Sequence, residues 1–188
     1  MDSKNLASRL CYLPLFVSDR IKLWLTYRAL KPASLIAFRG SSYPQTPTRL
    51  HRIQKWVKDA GLFIKLDPFD PKKSVYIVSK DQSAIKKLTK MKSPPSNDDC
   101  HTMGLLFGYP PAAVKTYSYG DPSQMTGSLS KDSPVKALPE ALYAEYAIRL
   151  GHEKDDLGVA KKWMETIRKD IPKLAEWYEK ESKTAIEN

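Results

Sequence analysis

Fourteen prolines divide this 188-residue chain into short stretches and limit how long any element can run. Proline fixes φ, donates no backbone hydrogen bond and turns the preceding residue away from the helical region, so regular structure stops at or near each one. Pro14 interrupts the first apolar stretch, Leu10 to Val17, and no small-x-small cleavage pattern follows it; Ser18-Asp19-Arg20 reads instead as a helix start. From Ser18 to Leu30 the residues Ile21, Leu25 and Ala29 recur at i+4, an amphipathic helix closed by Lys31-Pro32. Ser93-Pro94-Pro95-Ser96 breaks the chain at its midpoint. No apolar run approaches the roughly 20 residues that cross a bilayer, so no membrane span is expected.

Between these breaks the first half alternates strand and helix signals. Ser34 to Phe38 is a short apolar run followed by Gly40-Ser41-Ser42, which suits a buried strand. Thr48 is placed to cap a helix over Arg49 to Ala60, striped by Leu50, Ile53, Val57 and Ala60 and stopped by Gly61. Leu62–Leu66 and Val75–Val78 read as strands, and the turn-forming Asp67 to Lys73 between them predicts an antiparallel hairpin. Asp81 caps a helix reaching about Met91, with Ala84, Ile85 and Leu88 inward and Lys86, Lys87 and Lys90 outward. The fold class is therefore α+β: a small β-α-β-β-α layer in residues 1–92, followed by helices.

The second half divides into a helical hairpin at 97–118 packed on that layer, a flexible loop at 119–137, and C-terminal helices over 138–188, all within one compact domain. Those helices are expected at Leu138 to Leu150 and from Lys154 to about Lys183. In the latter, Leu157, Ala160, Met164, Ile167, Ile171, Leu174 and Tyr178 alternate +3 and +4, a heptad seam that Pro172 divides and that Asp170 is placed to cap. A seam of this kind, Leu157 to Tyr178, can pair with a second chain, which makes a protein partner the alternative functional expectation.

Charge is unevenly spread. Residues 1–92 hold 19 Lys+Arg against 6 Asp, a balance of +13 within a chain of net charge +10, and every glutamate lies at or beyond Glu140. A field of one sign over part of a molecule concentrates polyanions, so nucleic acid is the leading expected partner, with an acidic membrane surface sharing the same chemistry. The cations expected to hold backbone phosphate are Arg49, Arg52, Lys55, Lys58, Lys86, Lys87 and Lys90.

One stretch has a geometry of its own. In His101 to Tyr117, Met103 and Phe107 stand one helical turn apart, Gly108 suits a positive-φ stop, and Pro110-Pro111 pre-set a new helix. Gly104 leaves room for close crossing, and Val114 and Tyr117 can fold back on the first helix. This positions two short helices on a tight turn. The stretch resembles the helix-turn-helix signature of DNA-binding repressors at Met103, Gly104, Phe107, Gly108, Tyr109, Val114 and Tyr117. That resemblance implies that Ala112, Ala113, Lys115 and Thr116 face the major groove. Its pattern, His-x-x-Gly-x-x-x-Gly-Tyr-Pro-x-x-Ala-Val-x-x-Tyr, is also similar to a segment of small uncharacterised prokaryotic proteins, which implies shared structure and assigns no activity. In the first half, Arg49 to Gly61 with its two strands and Asp67–Lys73 loop resembles the last helix and wing of winged-helix regulators.

Catalytic motifs are missing from the sequence: it has no Gly-x-Ser-x-Gly elbow, phosphate-binding Gly-Lys-Ser/Thr loop or His-Glu-x-x-His. Cys11 and Cys100 form no Cys-x-x-Cys pair, and His51, His101 and His152 are too scattered for a metal site, so no metal or cofactor is expected. This cysteine usage suits a cytoplasmic protein. The one pocket worth testing for an enzyme would form around His101, Tyr109 and Tyr117.

Overall fold

The computed structural model describes residues 2–37, 46–70, 74–91, 93–130, 133 and 135–187, with residues 185–187 described by backbone alone. Its contacts cluster into two compact units, Met1–Ser93 and Pro94–Asn188, and the class is α+β. Phe38, Gly40 to Ser42 and the loop tip Pro71 to Lys73, all part of the strand and hairpin expectations, lie outside the described residues.

Unit 1 contains α1 (Ser3–Leu10), α2 (Val17–Tyr27), β1 (Ala33–Ala37), α3 (Pro47–Asp59), β2 (Phe63–Leu66), β3 (Val75–Ser79) and α4 (Gln82–Leu88). The strands form an antiparallel sheet in the order β1-β3-β2, with Ser34 opposite Val78 and Ile64 opposite the same residue on the other side. β1 and β2 therefore run parallel with β3 between them, and α3 makes the crossover, a split β-α-β arrangement. The pleat puts Ser34, Ile36, Tyr76 and Val78 on one face, and all four are buried.

Edge strand β1 is covered by α2. The buried Asp19 accepts the Ala37 N–H at 3.3 Å and pairs with Lys22 at 3.1 Å, while the Thr26 and Ser34 hydroxyls meet at 2.8 Å. Arg20, also buried, donates to the Leu15 and Cys11 carbonyls and pins the turn before α2. The first helix was not foreseen; Asp2 caps it, and the Trp56 indole of α3 donates to its Leu6 carbonyl at 3.0 Å. Thr46, rather than Thr48, caps α3, because Pro47 begins the helix and has no N–H to satisfy.

Unit 2 contains α5 (Asn97–Leu106), α6 (Pro111–Tyr119), a 3-10 turn at Pro122–Gln124, β4 (Met125–Gly127), a second such turn at Pro139–Tyr143, β5 (Ala147–Arg149), α7 (Glu153–Asp170) and α8 (Pro172–Glu187). Ser96 and Asp99 close a reciprocal capping box at the start of α5. Two stretches depart from expectation. The helix expected over Leu138 to Leu150 is a 3-10 turn followed by β5, and β5 pairs antiparallel with β4 inside the stretch expected as loop. The strand reflects a period-two pattern, with Tyr146 and Ile148 buried between half-buried neighbours.

The heptad positions Leu157, Ala160, Met164, Ile167, Ile171 and Leu174 are buried inside unit 2, against the Pro139–Tyr143 turn, β5 and the α7–α8 pair itself. The seam is thus consumed within its own unit. Pro172 divides α7 from α8, as its missing N–H requires.

Candidate functional site

Two features can act on other molecules, one in each unit. In unit 1, α3 carries Arg49, Arg52, Lys55 and Lys58 at successive i+3 positions, a row that turns by about 60° at each step, from the half-buried Arg49 on the side of the buried Ile53 and Trp56 to Lys55 and Lys58 away from them. Arg52, Lys55 and Lys58 are exposed. Arg52 also donates to the Tyr12 carbonyl at 3.1 Å, which fixes its guanidinium in place, and Lys55 pairs with Asp59 at 3.3 Å. Asp59 is shared with Arg9 at 2.8 Å, and the hydrogen bond from Arg9 holds its carboxyl below the usual carboxylate range. Lys86 and Lys87 lie on the exposed face of α4 opposite Ala84, Ile85 and Leu88, and Lys90, also exposed, falls in the turn after it, because the helix ends at Leu88 and not near Met91. Lys115 and Thr116 belong to unit 2, so the residues expected to contact nucleic acid do not all come from one compact body.

In unit 2 the hairpin of α5 and α6 turns at Gly108, whose φ of +75° is one that side chains resist. Gly104 lies against Val114: a Cβ added there would approach the two valine methyls at 2.7 and 2.9 Å. Two assignments change. Ala113, expected outward, is only 2% exposed and buried alongside Val114, whereas Tyr117, expected to fold back onto α5, is 62% exposed. The buried stripe of α6 is centred on Ala113, Val114 and Ser118, about a residue away from where the sequence alone places it.

Beside this hairpin lies a groove of about 400 Å3, within the size range of small-molecule sites. Met103 of α5, Phe107 just after it, Tyr117 of α6, Tyr109 of the turn, and Glu145 and Tyr146 before β5 line it, along with small apolar residues. Tyr109 and Tyr117 are thus in its walls. His101 is not; its ring rests 5.3 Å from Tyr119, whose hydroxyl donates to Asp98.

An aromatic series supports the wall. Phe107 and Tyr109 are 5.9 Å apart, Tyr109 and Tyr146 5.2 Å, and Tyr146 meets the buried Trp163 edge-on at 5.9 Å. The Tyr146 hydroxyl donates to the Asp156 carbonyl at 2.6 Å, and the buried Asp156 carboxylate accepts from the Arg149 backbone and guanidinium. Burial, then the charge of Glu145, pushes the Tyr109 phenol far above its ordinary value, and burial does the same for Tyr146. Both phenols are therefore neutral throughout the physiological range. Tyr178, buried and near the same glutamate, is pushed up to about 12.

Glu145 and Tyr146 escaped the sequence reading because their stretch looked helical; the alternation through Ile148 was the available signal. Among the described residues no three His, Cys, Asp or Glu side chains gather into a metal site, and no helix is long and apolar enough to cross a membrane. In comparisons with known proteins, no family model, curated protein or solved structure matches this chain.

Proposed function

We propose that the protein binds nucleic acid through backbone phosphates, using the cations of unit 1. The observation carrying this reading is that the charge changes sign where the fold divides. Unit 1 holds the +13 balance, whereas Pro94–Asn188 has 12 Lys+Arg against 15 Asp+Glu. A solubilising charge needs no such confinement. A phosphate-binding surface does, because acidic side chains beside the cations would compete with the ligand. The exposed Lys86 and Lys87 of α4, Lys90 in the turn after it, and the exposed cations of α3 are the contacts assigned to phosphate.

The test is fluorescence anisotropy of labelled duplex and single-stranded oligonucleotides with the full chain across a salt series. Affinity should fall steeply, with a log–log slope of about −0.9 for each duplex phosphate neutralised. Reversing Lys86, Lys87 and Lys90 to glutamate should weaken binding at least tenfold and flatten that slope. Reversing Lys154, Lys161 and Lys162, all exposed on α7, should change it little. Absence of binding at low salt, or equal losses in both triple variants, overturns the proposal.

A further inference from the structure

We propose that the outer edge of β2 in unit 1 is a docking site for an extended acidic segment of a partner protein, which adds to the sheet as a further strand. This is separate from the phosphate reading and stands without it. The Asp67 N–H donates to the Val75 carbonyl at 2.9 Å, which makes these two a hydrogen-bonded pair of the β2–β3 ladder. Such pairs alternate along antiparallel strands, so Lys65 and Phe63 bond to Ile77 and Ser79, while Ile64 and Leu66 turn their N–H and C=O groups outward. Among the described residues, nothing donates to or accepts from these outward groups. The same alternation turns Ala37 outward at the opposite edge of the sheet, and there Asp19 accepts its N–H. The sheet thus caps its β1 edge at Ala37 and leaves the β2 edge unpaired.

Two features of this edge select its occupant. Its groups alternate between donor and acceptor, so phosphate oxygens, which only accept, leave half of them unmet, whereas an extended main chain completes them all. Charge then chooses among strands. Lys65 stands exposed between the two outward residues, with Ile77 across from it and Val75 and Ser79 diagonal to it, none of them acidic. It makes no ion pair among the described residues. An incoming strand sets one of its side chains about 4.5–5.5 Å from Lys65 on the same face, a position that favours a carboxylate and penalises a second cation. Phe63, 45% exposed and two residues away on that face, offers an apolar neighbour to the same strand. A second copy of the chain is the weaker candidate, because it would bring its own balance of +13 against this one.

The test uses the full chain labelled with 15N-isoleucine. The Ile64→Pro variant lacks the outward N–H, so it identifies the Ile64 signal while removing no bond of the β2–β3 ladder. The probe is a blocked six-residue peptide alternating glutamate with valine, and the control has lysine in place of each glutamate. The Ile64 signal should shift to saturation with the acidic peptide at millimolar concentrations or below, and isoleucine signals outside the sheet should stay in place. The basic peptide should bind at least tenfold more weakly, and Lys65→Glu should reverse that order. N-methylation of alternate amides in the acidic peptide should abolish binding for one alternate set and change it less than threefold for the other. By anisotropy of the labelled peptide, Ile64→Pro should cost at least tenfold. If that variant does not fold, Ile64→Val assigns the signal and the methylated peptides test the edge. An Ile64 signal that never moves, equal affinity for the two peptides, or equal tolerance of both methylated sets overturns the proposal. So does a free protein that sediments as a dimer and becomes a monomer as Ile64→Pro, which gives the edge to a second copy.

Discussion

At the scale of single residues, two backbone positions carry opposite strains. Gly104 is required by space: an alanine Cβ would press on both Val114 methyls at under 3 Å, and branched valine has little rotamer freedom to yield. Gly104→Ala should therefore destabilise unit 2 by about 1–3 kcal/mol in chemical denaturation. Adding Val114→Ala should restore part of that loss, a non-additivity that identifies the close crossing as the cause. Ala29 is the reverse case. It sits at φ +56° just after α2, the left-handed position where glycine is usual at a helix end. Its Cβ costs roughly 1 kcal/mol there, more than the extra unfolded-state entropy of glycine takes back. Ala29→Gly should raise the denaturation midpoint of unit 1, and a lowered midpoint would show that the turn is held by something other than this strain.

At the scale of elements, the α7–α8 pair is joined by a polar clamp as well as by its apolar seam. Glu179 accepts from Arg168 at 2.9 Å and from the Tyr143 hydroxyl at 3.0 Å. Burial alone would raise the pKa of this carboxyl, but the hydrogen bonds from Arg168 and Tyr143 outweigh it and hold the group below its ordinary value. A carboxyl with a depressed folded pKa contributes stability above its unfolded value, and that contribution disappears as pH falls through the folded value. Wild type should therefore be more stable than Arg168→Met at neutral pH, and the two should converge as denaturation is repeated down through the carboxylate range. A gap that stays constant with pH would assign the arginine a packing role only. Elements whose signals are local were legible in the sequence: Asp81 before α4, Gly61 after α3, the turn at Gly108 and the division at Pro172. Those decided by distant partners were not. β5 spans only three residues and depends on pairing with β4 for its existence, so periodicity over 138–150 pointed to a helix. Likewise α1 is secured by Trp56, 50 residues away, which no local pattern reveals.

At the scale of the whole molecule, the sequence made the charge division plain, because net charge needs only counting. It could not show that the division coincides with two separately packed units, or that the aromatic groove depends on Glu145 and Tyr146. That coincidence has a thermodynamic consequence. The repelling charges of unit 1 oppose its own compact state, so a polyanion that binds the folded form should stabilise it by mass action. Four tryptophans offer a reporter in each half, Trp24 and Trp56 in unit 1 and Trp163 and Trp177 in unit 2. With fluorotryptophan incorporated, the 19F signals can be followed on heating with and without a short duplex. At about a hundred times the dissociation constant, binding adds about 2.7 kcal/mol, which for a unit of this size corresponds to about 10 °C or more. The folded Trp24 and Trp56 signals should persist to that higher temperature at low salt, lose the gain at high salt, and lose it also when Lys86, Lys87 and Lys90 are reversed. If the duplex leaves these two signals melting where they did before, the cations of unit 1 serve solubility alone.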